Sequence, residues 1–189
     1  MFSAPILVAL CGGIANASFY GLSALYATGI GLPVESVAFF VAFVLVAPAV
    51  SEIPLGALAD RFTRMSVASA CALAAVAACS VLIVIETPSL WLACICGGIV
   101  GASMVPMYAF GLSRIVDASP DAAQIEATST GLFAYNAGAF VGPVLAGSAM
   151  AVFGPIGLYV FLVIVATVAA LSAFSDMGFA KCCPERLAS

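Results

Sequence analysis

A chain of 189 residues that is 65% hydrophobic and 7% charged, with a mean hydropathy of +1.25, is excluded from the water-soluble globular proteins. It reads as an all-α integral membrane protein, and at roughly 20 apolar residues per crossing its length allows about six transmembrane helices joined by short loops. Five Lys and Arg make no basic surface for nucleic acid, and a chain without His whose cysteines sit mostly in apolar runs offers no metal constellation.

The first apolar run begins near Pro5 and continues through Tyr26, and no Lys or Arg precedes residue 61. A secretory signal needs a positive start, so this run is read as a membrane span despite the small residues at Ala15-Asn16-Ala17. It closes at Gly29-Ile30-Gly31-Leu32-Pro33, a turn by its Gly and Pro content. The second span carries Pro48 and Pro54, which free backbone carbonyls and which neighbouring helices can accommodate.

Glu52 lies in that second span, six residues before its expected end at Leu58 and so ~9 Å inside the helix at ~1.5 Å per residue. An ionisable group at that depth faces a cavity or a partner, or else snorkels to the interface. Glu52 is therefore a candidate for proton coupling or cation binding, with a structural carboxyl as the alternative.

The third span, Met65 to Ile85, ends at Glu86-Thr87-Pro88-Ser89, with Ser89 as the expected N-cap of the fourth. In the fourth, Gly97 and Gly101 form a small-xxx-small face for close helix approach. The polar stretch from Arg114 to Glu126 contains Ser119-Pro120-Asp121, a helix-start signal leading into the fifth span. The six spans are thus expected at about 5–28, 34–58, 65–85, 90–115, 124–153 and 156–174, in a single membrane domain covering 1–189.

With six spans, Arg61, Arg64, Arg114, Lys181 and Arg186 all fall on the side of the two termini, which makes that side cytoplasmic by the positive-inside rule. Asn16, Tyr20, Tyr26, Tyr108, Tyr135 and Asn136 supply polar atoms within the spans, either for a solute or for bonds between helices. Trp91 is placed as an interfacial anchor. Cys11, Cys71, Cys79, Cys94 and Cys96 are packing residues, while Cys182-Cys183 is a juxtamembrane pair. No nucleophile–base pair or phosphate-cradling loop points to an enzyme, and no cofactor is implied.

The loop Gly56-Ala57-Leu58-Ala59-Asp60-Arg61-Phe62-Thr63-Arg64-Met65 resembles the signature loop between the second and third helices of each half of major facilitator superfamily transporters. It departs from that pattern at Thr63, where a Gly is usual, and at Met65, where a basic residue is. The run Tyr135-Asn136-Ala137-Gly138-Ala139-Phe140-Val141-Gly142-Pro143 resembles the fifth helix of a facilitator half. Asn16-Ala17-Ser18-Phe19-Tyr20 and Pro106-Met107-Tyr108 resemble the C-terminal half of bacterial efflux-like members.

The resemblance implies one six-helix half, built as two inverted three-helix repeats, of a secondary transporter in the bacterial cytoplasmic membrane. It implies candidate solute contacts at Asn16, Tyr20 and Tyr108, and close packing between halves through Gly138, Gly142 and Pro143. Asp60 would dock near the start of the fifth helix of the other half. The expected function is alternating-access transport of a small organic solute, with a second copy or a separate partner half completing the pathway. The alternatives are a non-transporting subunit of a larger membrane complex and a fragment of a longer transporter.

Overall fold

Apolar runs punctuated by Gly, Pro and short polar turns fold into six long α-helices in a computed structural model, which describes residues 3–85, 87–117, 119–120 and 123–182. They are α1 (Ser3–Gly29), α2 (Val34–Arg61), α3 (Arg64–Val84), α4 (Leu90–Asp117), α5 (Gln124–Phe153) and α6 (Gly157–Cys182). Asp121 and Arg186, and the side chains of Arg64, Pro106, Met107, Arg114 and Lys181, lie outside the described residues.

Local chemistry sets the ends. Gly31 turns the chain after α1 with a positive φ of 84°, and Pro33 is poised for the start of α2. Pro48 and Pro54 sit inside an unbroken α2. Thr63, one of the two departures from the resembled loop pattern, caps α3: its hydroxyl accepts from the Ser66 N–H at 3.3 Å. Ser89 accepts in the same way from Leu92 N–H at the first turn of α4, at 3.5 Å.

The helix start expected at Ser119-Pro120-Asp121 falls partly outside the described residues, at Asp121 and Ala122. The Ser119 hydroxyl donates back to the Ile115 carbonyl at 2.8 Å and so finishes the preceding turn. A further backbone turn, Ala123 N–H to Pro120 O at 2.8 Å, intervenes before α5 begins at Gln124 with Ala123 as a cap lacking a side-chain bond.

Close pairs of residues fix the layers. The front row runs α2, α4, α1, α5, with α3 and α6 packed together behind it. Neighbours in the row alternate in a defined way. α1 and α5 are parallel, since Leu10 and Ile14 face Gly138 and Ile14 and Ser18 face Gly142; α2 and α4 are parallel through Phe40 and Val44 against Gly97. At the centre α1 and α4 are antiparallel, Gly12 meeting Tyr108 and Gly101 meeting Phe19.

One end of the bundle gathers the start of α1 beside Gly111, the end of α6 beside Ala4 and Leu7, and the α2–α3 loop beside Phe110. At the other end Gly29 abuts Pro155 in the short 3-10 turn between α5 and α6.

The core is made of small residues around a few rings: Tyr26, Tyr159, Phe19 and Phe40 are fully buried among Ala72, Ala75, Cys79, Cys94, Cys96 and Ala166. The outside is equally apolar. Ile53, Val84, Ile125, Phe133 and Phe140 are each 76–82% exposed, which water would penalise and lipid chains do not.

Five described runs are long and apolar enough to cross a membrane, by length and composition, and the last of them, Gln124–Ser175, covers α5 and most of α6. Serine and threonine hydroxyls inside these runs donate to carbonyls of their own helix, as Ser18 to Ile14, Ser80 to Val76, Ser103 to Ile99 and Thr167 to Val163, so that no free donor meets lipid at those positions.

Candidate functional site

The four helices of the front row carry the amide, phenol and carboxylate groups singled out in the sequence. Asn16 on α1 donates its amide to the Tyr135 hydroxyl on α5 at 2.7 Å, joining positions 119 residues apart. The Tyr135 ring stacks obliquely on Tyr108 of α4, with centroids 4.3 Å apart and planes at 46°. Tyr20, one turn beyond Asn16, lies within electrostatic reach of both Tyr135 and Glu52. All four of Asn16, Tyr20, Tyr108 and Tyr135 are half-buried, and Glu52 on α2 is exposed.

Glycines make this arrangement sterically feasible. A side chain on Gly13 would strike the Tyr135 carbonyl, and one on Gly12 would press on the Tyr108 backbone at 3.3 Å, so both tyrosines are drawn up against α1. Gly101 leaves room for the edge of Phe19 and for the Tyr20 hydroxyl, each 3.3–3.4 Å from where a Cβ would stand. Phe19 and Tyr20 meet edge to face at 5.4 Å. The doublets Gly12-Gly13 and Gly97-Gly98 were visible in the sequence as costly residues inside helices, a signal of backbone approach that the reading by single small-xxx-small faces passed over.

Gly138 and Gly142 require a correction of partner. Both are buried against α1 of the same chain: a Cβ on Gly138 would strike the Leu10 carbonyl, and one on Gly142 would stand 2.6 Å from the Ile14 carbonyl. Their close approach is therefore spent within the chain and is not available to a second half. Pro143 follows inside α5, half-buried. Gly97 receives the Phe40 ring and the Val44 side chain of α2, a contact also internal.

In the signature loop, Gly56 is open, with nothing where a Cβ would be, and Asp60 and Arg61 are exposed at the last turn of α2. Arg64 opens α3. At the α3 N-terminus Thr63 occupies the capping role, accepting from the Ser66 N–H. Among the described residues no group of three or more His, Cys, Asp or Glu is placed to hold a metal.

A family model for the Major Facilitator Superfamily matches residues 5–179. The chain belongs to the Major Facilitator Superfamily. It is accordingly an integral membrane protein of a secondary-transporter family whose members are generally not enzymes. No curated protein matches the chain closely enough to add a relative.

Within this facilitator the Asn16–Tyr135 bond ties the centre of α1 to α5, and interhelical bonds of this kind contribute about 0.6–1.7 kcal/mol in membranes. Tyr135→Phe removes the acceptor and keeps the ring against Tyr108, so a thermal unfolding midpoint lowered by a loss in that range is the expected result.

Proposed function

We propose that this chain forms one six-helix half of a facilitator-type secondary transporter, which moves a small organic solute by alternating access together with a second half. That half is a second copy, a separate partner, or further sequence joined to this one. The observation that carries the reading is the placement of Asn16, Tyr20, Glu52, Tyr108 and Tyr135 on the front row, part-exposed on helices that are otherwise apolar. An amide, three phenols and a carboxylate facing lipid would be costly, whereas the same groups facing a watery passage between two halves are solvated.

The packing also supports an inverted repeat. Exchanging α1, α2 and α3 for α4, α5 and α6 turns each helix–helix contact into another that is present: α1 on α5 becomes α4 on α2, and α1 on α6 becomes α4 on α3. A second half would then meet the outer flanks of the row, where α2 presents Val46, Val50 and Ile53 and α5 presents Phe133, Phe140 and Val144, all exposed. The solute would lie over α1 and α4, and rocking of one half against the other would open the passage to each side in turn.

The side reading follows from charge. Arg61 is exposed at the end of the bundle that also holds the start of α1 and the end of α6, which makes that end cytoplasmic. In a background lacking native cysteines, Glu35→Cys should react with an impermeant maleimide from outside and Arg61→Cys only after permeabilisation; the opposite pattern would reverse the orientation.

The assembly is tested by native mass measurement of the particle extracted in lipid nanodiscs. Two six-helix halves per particle are expected. A chain that stands alone at high protein-to-lipid ratio, or one found only within a larger complex with no solute uptake in liposomes, would favour the accessory-subunit reading.

A further inference from the structure

Resting on the reading that a second half completes the passage, we infer that this half is another copy of the same chain, docked so that Glu52 on α2 of each copy meets Asn136 on α5 of the other. The two residues stand on the outer helices of the front row, α2 at one end and α5 at the other, and both are exposed. Contacts across the row set their height. Gly12 packs on Tyr108 and Gly13 on Tyr135, so the two tyrosines share one level, and their rings meet there. Val44 lies against both Gly97 and Gly101 of the parallel α4, so Glu52, eight residues further along α2, stands about level with Tyr108. Asn136 follows Tyr135 directly. Glu52 and Asn136 are therefore at the same depth to within about one helical turn.

A twofold axis along the membrane normal keeps every group at its depth and sets the front rows face to face with their ends exchanged, α2 of each copy opposite α5 of the other. The shapes then match. On α5, Asn136 stands between Phe133 and Phe140, three residues before it and four after, on one outward face where the rings are 76% and 82% exposed. On α2, Glu52 stands between Ala49 and Gly56 at the same two offsets, both exposed, with open space where a Gly56 side chain would be. Because α2 and α5 run in opposite directions, the pairing places Phe140 of one copy against Ala49 of the other and Phe133 against Gly56, two rings into two gaps with the polar pair between them.

Asn136 donates one amide hydrogen to the Leu132 carbonyl at 2.8 Å, and an amide carries a second N–H and a carbonyl oxygen besides. A carboxyl accepts from that N–H and, when protonated, donates to that oxygen. Facing lipid, both groups would be costly; facing each other, they are satisfied twice per dimer. This self-complementarity selects a second copy, since the rings with their amide and the gaps with their carboxyl lie on the two flanks of one chain, and a chain of different sequence would have to reproduce both.

The test uses the full chain in lipid nanodiscs, in a background lacking native cysteines, treated with o-phenylene dimaleimide, a short lipid-permeant thiol cross-linker. Ala49→Cys/Phe140→Cys and Gly56→Cys/Phe133→Cys should each give a covalent dimer on a denaturing gel. The link cannot close within one chain, because at ~8–10 Å between neighbours the ends of a four-helix row are about 25 Å apart. Ala42→Cys/Phe133→Cys, mismatched in depth by about 20 Å at ~1.5 Å per residue, should stay monomeric. Asn136→Leu should weaken dimerisation about tenfold, read by energy transfer between labelled copies in liposomes, and Glu52→Leu/Asn136→Leu should be no weaker than Asn136→Leu alone.

Particles with the mass of two copies that cross-link in neither matched pair, or equally in the mismatched pair, would overturn this interface and leave the half-transporter reading standing. Particles in which a different chain supplies the second half would overturn the second copy alone. A lone chain at high protein-to-lipid ratio, with no cross-link, would overturn both.

Discussion

Gly13→Leu should abolish the folded bundle. Even a methyl at this position would strike the Tyr135 carbonyl, and the Ala139 backbone nitrogen lies 3.1 Å from the same point. Backbone cannot rotate aside as a side chain can, so α1 and α5 would have to separate along the seam that also holds Gly138 and Gly142. Overpacking of ordinary core sites costs about 1–3 kcal/mol, and a wedge against backbone should exceed the upper figure. Size-exclusion chromatography of the detergent extract should show aggregate in place of a monodisperse peak. Gly21→Leu, on the same helix at an exposed site with nothing within 4 Å, should behave as wild type. Equal behaviour of the two variants would refute the seam.

A second large effect has the opposite sign. Tyr26 and Tyr159 are fully buried, meet edge to face at 4.6 Å, and have hydroxyls without a hydrogen-bond partner. An unpaired buried hydroxyl costs about 1–3 kcal/mol, so Tyr26→Phe and Tyr159→Phe should each raise stability towards that extent, because the ring contact survives. Thermal unfolding followed by light scattering reads the sign directly. A loss of stability in either single variant that is recovered in the double variant would mean that the two hydroxyls share a guest. The pair sits between α1 and α6 in the half of the bundle near the Gly29–Pro155 contact, away from the Asn16–Tyr135 bond.

What the sequence made legible was what local chemistry decides. The turn at Gly29–Pro33 and the break at Ser89 follow from residues that cannot continue a helix or that cap one, and the structure places helix ends there. The family could be recognised because Asp60 and Arg61 stand between two apolar runs, and the matched region confirms it. What was not legible depended on which helices meet. The spacing of Gly138 and Gly142 announces a close approach but not its partner, and the partner proves to be α1. Nothing in the sequence links Asn16 to Tyr135, because a hydrogen bond across 119 residues exists only once α1 and α5 lie parallel.

The reversal between α5 and α6 bears on how the protein enters its membrane. From Ala127 to Ser175 there is no charged residue, and the connection is Gly154-Pro155-Ile156, so no polar loop marks where one helix ends. An insertion machine that sorts segments by hydrophobicity meets a single greasy stretch of 52 residues. The fold-back then rests on backbone geometry: Gly154 adopts φ 71°, a conformation that side chains resist, and Gly157 nests against the Ala149 carbonyl. The two helices must therefore be released into lipid together as a hairpin, and an error at this one glycine would be an error of biogenesis, leaving the last helix on the wrong side before any packing could correct it.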